Sequence, residues 1–298
     1  MDISDGHGFR GGVEEQSTVQ ADIVHIREWL LKQPHLIART DDEWILRFLK
    51  SCKFRLARTK EKLETYYTLR TSIPELFKNR DPFRSELQDI LNKGLLLPIR
   101  DSNGPVIMLI RGDYADPSKN AATNVMKVFL MIVDVMFDNY DPYFTYGDVS
   151  VVDLQRLNIT YITQFTPMFI RNGIMCLKGC PVSHKAIHLL NMNSTLETVA
   201  NLVVRLLGKK LGERVHVHSN SKADIFKLIP RNLCPKEYGG EGKTMNELTE
   251  EWKKKVEDYR DWFLENEKYG TDESKRVGFM KQSDLFGTDG TFKSLQVD

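Results

Sequence analysis

The stretch Met126 to Tyr140, MKVFLMIVDVMFDNY, constrains this chain more than any other. Wound at about 3.6 residues per turn, its Met, Phe, Leu, Ile and Val side chains cover most of a helix circumference. Lys127, Asp134 and Asp138 are its only charges. A helix of that kind has no solvent face, so other elements must pack around nearly all of it. The neighbouring segments supply those elements. LLLPIR (95–100) and PVIMLIR (105–111) flank Asp101-Ser-Asn-Gly104 and read as a hairpin closed by a turn. VSVVDL (149–154), KAIHLLN (185–191) and RVHVHS (214–219) read as further strands, separated by helical patterns at 126–140, 167–178 and 196–211. Apolar strands alternating with helices indicate an α/β sheet whose central strands are covered on both faces.

Upstream, from Thr18 to Arg70, the periodicity is helical. Ile23, Ile26, Trp29 and Leu30 repeat at three and four residues, and Asp41 and Asp42 offer an N-cap ahead of Trp44, Ile45, Phe48 and Leu49. In a third helix Leu56, Leu63, Tyr66, Tyr67 and Leu69 form the apolar side, while Arg58, Lys60, Glu61, Lys62 and Glu64 form a solvated one. The chain divides accordingly: a disordered lead-in at 1–17, a helical domain at 18–92, the α/β domain at 93–245, a C-terminal helix at 246–268 and a flexible tail at 269–298. The C-terminal helix carries Trp252, Val256, Tyr259, Trp262 and Phe263 on one side.

Composition narrows the function. The 298 residues are 41% hydrophobic and 28% charged with a net charge of +1, a globular profile without the overall basic surface that nucleic acid demands. No segment approaches the roughly 18 consecutive apolar residues of a spanning helix, and the N-terminus lacks the basic-then-apolar pattern of a signal peptide. A cytoplasmic monomer is the expectation. The four cysteines form no paired CxxC knuckle, and Cys176 and Cys180 have no second ligand pair, so they read as core thiols. His184 and His188 fall in a strand pattern; His216 and His218 project to one side of another strand but lack a third ligand. In GGEGKT (239–244) the first glycine of a phosphate-binding loop would fall on Glu237, and no strand precedes it. With no Gly-x-Ser-x-Gly elbow and no paired carboxylates, no catalytic residue, metal or cofactor is expected, and the chain reads as a non-enzyme.

The segment 196–211 is different in kind. Leu196, Val199, Val203 and Leu206 form a stripe, Leu202 and Leu207 widen it, and Arg205, Lys209, Lys210 and Arg214 crowd its end. Such a helix can equally dock on the sheet as an ordinary amphipathic helix with its cations solvated, or cover an apolar cavity or enter a membrane interface while its cations meet anionic lipid. Each cation contributes about 1 kcal/mol there, enough for reversible attachment.

Taken in order, ILRFLKSCKFRLARTKEKLETYY (45–67), VVDLQRLN (151–158), CPVSHKAIHLLN (180–191), GERVHVHSN (212–220) and LIPRNLCPKEYGG (228–240) resemble the CRAL-TRIO lipid-binding family. Within it they are most like the tocopherol-transfer and retinaldehyde-binding branch, over roughly residues 20–265. The resemblance implies an N-terminal helical (CRAL-TRIO N) domain, then a mixed, mainly parallel β-sheet whose covering helices enclose a hydrophobic pocket. A mobile gate helix would fall on about Leu196–Leu207, with Gly208 and Gly212 as hinges. By position, the ligand would meet Val199, Val203 and Leu207 of the gate, Val152 and Ile187 of the sheet, and Met126, Phe129, Val133, Cys176 and Leu177 of the helices. Phe129 and Val133 replace two small polar residues of that branch. Lys185, Lys210 and Arg214 align with its phosphoinositide-binding positions, and Ser183 stands where it carries a further Lys.

The function implied is binding and intermembrane transfer of a small hydrophobic ligand (tocopherol-, retinoid- or carotenoid-like), released at phosphoinositide-containing membranes as the gate opens. Its partners would be that ligand and a membrane surface met peripherally and reversibly. The alternative is a lipid-sensing, membrane-recruited adaptor without net transport, in which the last helix and tail meet a protein.

Overall fold

In the computed structural model the described residues are 13–100, 104–112, 121–139, 146–155, 157, 159–181, 183–192, 194–207, 209–218 and 221–277. Helix α1 (Val13–Leu31) sends Ile23, Ile26 and Leu30 into the main core and is followed by a short strand, β1 (Leu36–Ile37). Asp41 caps α2 (Asp42–Ser51): its carboxylate accepts a hydrogen bond from the Trp44 N–H at 3.0 Å, satisfying one donor that the first turn leaves free. Trp44, Ile45, Phe48 and Leu49 of α2 are buried, and Trp44 makes edge contacts with Phe48, Tyr66 of α3 (Leu56–Ser72) and Phe137. Helices α4 (Pro74–Phe77) and α5 (Ser85–Lys93) complete the lead domain. Helix α5 stops at Gly94, where φ is +57° and an added side chain would strike the Thr249 hydroxyl, so both the turn and the space require glycine.

Strands β2 (Leu96–Ile99) and β3 (Val106–Arg111) pair antiparallel, as the hairpin pattern predicts; turn residues 101–103 lie outside the described residues. Next comes α6 (Ala122–Asn139), in which every residue from Lys127 to Phe137 is buried. Its three charges are each answered. The Lys127 ammonium donates to the Lys78 carbonyl at 2.8 Å, Asp134 receives Arg70 and Arg80, and Asp138 accepts from the Tyr259 hydroxyl at 2.9 Å.

The chain then alternates: β4 (Asp148–Asp153), α7 (Pro167–Gly179), β5 (His184–Leu190), α8 (Ser194–Leu207), a short α9 (Lys209–Gly212) and β6 (Val215–His218). The five-stranded sheet has the order β2-β3-β4-β5-β6, with β3 to β6 parallel. Each parallel crossover steps to the adjacent strand in the same direction. Right-handed connections therefore put α6, α7 and α8 on one face. The other face receives the chain after β6, from α10 (Ser221–Leu228) to Tyr238, whose hydroxyl donates to Asp153 at 2.8 Å.

Three expectations change. Helix α1 begins at Val13, inside the segment read as a lead-in, and residues 1–12 lie outside the described ones. The last helix is two, α11 (Met245–Asp258) and α12 (Arg260–Asn266), broken at Tyr259 so that Trp252 and Val256 of one and Phe263 of the other all reach the core. The tail does not start at 269: β7 (Gly270–Thr271) pairs antiparallel with β1, and Arg276 bridges Glu64 and Glu273. Backbone pairing and ion pairs hold a segment whose polar composition reads as loose; residues 278–298 lie outside the described ones. Among the described residues no helix is long and apolar enough to cross a membrane.

Candidate functional site

Strand pairing lines side chains up in rows across the sheet. Ile110, Val152, Leu189 and Val217 form one row and Met108, Ser150, Ile187 and Val215 the next, both on the same face. That face lies under α7 and α8, because Val215 packs against the cluster of Ile170 and Ile174 of α7 and Leu207 of α8, which Phe165 and Val203 also join. Cover thins toward the β6 edge. Met108 is fully buried, Val152, Ile187, Leu189 and Val215 are half-buried, and Val217 is 55% exposed. An apolar sheet face that its own covering helices leave partly bare is suited to a hydrophobic molecule.

The predicted ligand residues divide. Val203 and Leu207 enter the α7–α8 cluster, and Ile187, beside Val215 in the ladder, shares the sheet face with Val152. Met126 reaches α7, its Cε lying 3.3 Å from where a Cβ on Gly173 would sit. Phe129, Val133 and Cys176 are buried in the main core. Val133 and Cys176 meet Tyr66, Leu69 and Arg70 of α3 around a void of about 30 Å³, away from the gate residues. Leu177 is half-buried and lies with Leu207 along a second cavity. The side chain of Val199 lies outside the described ones. Missing from the sequence reading are Phe165, Ile170, Ile174 and Val215; the four-residue spacing of Ile170 and Ile174 on one helix is the signal that marks them.

The second cavity, about 390 Å³, is basic: Arg58, Lys62, Lys178, Lys209 and Arg214 line it, with Leu177 and Leu207 at its side. Arg58 is exposed, as the solvated face of α3 predicts, whereas Lys62 corrects that expectation. The Lys62 ammonium donates to the Lys178 carbonyl at 2.6 Å and the Cys180 carbonyl at 3.1 Å, filling the C-terminal end of α7, where carbonyls have no helical partner. Burial pushes the Lys62 pKa below its ordinary value. Of the predicted headgroup residues, Arg214 lines this cavity and donates to the His184 carbonyl. Lys185 is exposed and outside the lining. The β4–β5 register shifts there, pairing Asp148 with His184 and Val149 with Ala186, so Lys185 is skipped. The Lys210 side chain and Gly208 lie outside the described residues, whereas Lys209 lines the cavity. Gly212 passes close to α8, where a Cβ would lie 3.2 Å from the Val204 carbonyl.

The same register shift puts a buried pair at the cavity wall. His184 Nδ1 lies 2.8 Å from the Asp148 carboxylate, and a side chain at Gly147 would collide with the Ser183 carbonyl beside them. Burial pulls the His184 pKa down, but the Asp148 charge and hydrogen bond, with Cys180, overcome it and raise the imidazole to about 10.

On the opposite sheet face His188 joins the two histidines of β6. Its Nδ1 lies 2.9 Å from His218 Nε2, and its ring stacks on His216 with centroids 5.0 Å apart. Burial, then the neighbouring His216 and His218, push His188 down to about 4. Among the described residues no group of His, Cys, Asp and Glu is arranged to hold a metal ion.

A helical lead domain followed by a mixed sheet with its crossover helices on one face defines the CRAL/TRIO class of α/β protein. Residues 92–240 match the CRAL/TRIO domain, and residues 15–87 match the Pinta-like UBA domain. The chain belongs to the CRAL/TRIO domain family. An alpha-tocopherol transfer protein-like protein of Mus musculus is 30% identical over 223 residues, 74% of this chain and 64% of that relative, so the match spans under two thirds of the mouse protein. Clavesin-1 of Xenopus laevis is 25% identical over 231 residues, 76% of this chain and 69% of that one. The crystal structure of Sfh5 shares the fold with a TM-score of 0.51 at 13% identity, covering 81% of this chain and 92% of Sfh5.

Proposed function

We propose that the chain binds one small hydrophobic ligand, tocopherol-, retinoid- or carotenoid-like, against the half-covered sheet face and transfers it between membranes. The observation that carries this reading is the row of Val152, Leu189 and Val217, with Ile187 and Val215 beside it, left partly bare beneath α7 and α8. Covering apolar surface gains about 25 cal/mol per Å², so a ligand can be held there by burial alone, without a reaction. The name of the mouse relative points the same way.

In this account α8 is the gate. Val203 and Leu207 cover Ile170, Ile174 and Val215 in the closed form and turn into the lipid interface when the protein meets a membrane. The basic cavity adjoins Leu207, so Arg58, Lys62, Lys209 and Arg214, with Lys185 and Lys210, receive anionic phosphoinositide headgroups where the gate opens. At about 1 kcal/mol per cation the attachment is reversible. The adaptor alternative has less support, since Trp252, Val256 and Phe263 of the last two helices are spent in the chain's own core. Native mass spectrometry of the purified protein, followed by extraction, tests the reading. One bound apolar molecule per chain is expected; a protein that takes up none of the three ligand types from vesicles overturns it.

A further inference from the structure

Of the four cysteines, Cys52, Cys176 and Cys234 are buried, and burial pushes Cys176 up to about 12 and Cys234 to about 11. Cys180 alone is half-exposed, directly after α7, on the wall of the basic cavity. Its surroundings come from three separate segments. His184 faces the same cavity with only 7% of its side chain exposed, Nδ1 engaged by Asp148, and Nε2 buried without a hydrogen-bond partner. Burial opposes the charge, but Asp148 keeps the imidazole protonated to about pH 10. Arg58, Lys62, Lys178 and Arg214 add four further cations around the opening.

A cationic cavity concentrates anions, and Cys180 is the half-exposed thiol that such an anion meets on its wall. We propose that Cys180 is a modification site that undergoes thiol–disulfide exchange with a small anionic disulfide of the glutathione disulfide type. The Cys180 sulfur attacks one sulfur of the incoming disulfide; the new S–S bond forms as the old one breaks. The departing thiolate takes the proton that Cys180 gave up. Cys180 is oxidised to a mixed disulfide and half of the reagent is reduced to a thiol, so no further reactant is required. The carboxylates of the attached half then lie against Arg58, Lys178 and Arg214. His184 is the positioning residue that supplies the charge. None of this depends on what the sheet face binds.

The test exposes the full chain at pH 7 to glutathione disulfide and, separately, to the neutral 2-hydroxyethyl disulfide, following all four cysteines by peptide mass mapping. The adduct is expected at Cys180 alone. The charged-to-neutral rate ratio should exceed that of the denatured chain by about tenfold and shrink as salt is added. His184→Asn, which removes a cation from the cavity wall, should lower the charged-to-neutral rate ratio, and Cys180→Ser should abolish the adduct. Since His184→Asn breaks a buried pair and can unfold the chain, the two-reagent comparison on the unaltered protein decides independently. Adducts at other cysteines, no adduct at all, or equal rate ratios in folded and denatured chains overturn the proposal.

Discussion

The carboxylate of Asp134 lies 2.6 Å from the guanidinium of Arg80, with the two side chains 8% and 1% exposed. Arg70 meets the same carboxylate at 3.1 Å, so one acid in α6 holds cations from the helical lead domain on either side. Removing one partner from a buried ion pair leaves uncompensated charge, which costs about 3–5 kcal/mol. Asp134→Asn should therefore lower the urea midpoint sharply while leaving ligand binding per folded molecule unchanged. A midpoint within error of the unaltered protein would mean that this triad does not join the domains.

Two histidines give the stability curve opposite slopes. His188 sits at about 4 in the folded chain against an ordinary 6.5, so as pH falls from 6.5 toward 4 the unfolded chain takes the proton first and stability drops. His184 is raised to about 10 from 6.5; its contribution is complete below 6.5 and is lost as pH rises through 10. Urea unfolding across the pH range should show His188→Gln flattening the acid limb and His184→Asn flattening the alkaline limb. Unchanged slopes in either variant would count against the assignment.

Leu207 and Val133 separate lid from core. Leu207 is buried only in the small α7–α8 cluster, whereas Val133 belongs to the main core. Leu207→Ala should speed release of a fluorescent retinoid or tocopherol analogue at a stability cost of about 2 kcal/mol, the low end for buried leucines. Val133→Ala should cost stability by unfolding assay and leave the release rate alone. Equal effects on release would show that both residues line one ligand space.

Much of the frame was legible. The apolar circumference of Met126 to Tyr140 demanded burial on all sides, and the strands around it were apolar enough to declare a sheet. The site was less legible because it depends on register and docking, which leave no local periodicity. The shift between Asp148 and Val149 excludes Lys185 from the rows and brings His184 onto Asp148. Lys62 looks like any residue of a solvated helix face until the end of α7 lands on it. The third histidine beside His216 and His218 comes from β5, thirty residues from His218 in sequence. Residues 270–277 are held by β1 and by Glu64, partners more than 200 positions away that tail composition does not reveal.

The most direct test of the central claim is the rate at which a fluorescent hydrophobic ligand passes from donor vesicles to acceptor vesicles with and without phosphoinositide. The account predicts faster transfer to phosphoinositide-containing acceptors. It also predicts that Lys210→Ala combined with Arg214→Ala removes most of that gain, roughly thirtyfold for two cations at about 1 kcal/mol each. Transfer that ignores phosphoinositide and survives both substitutions would contradict it.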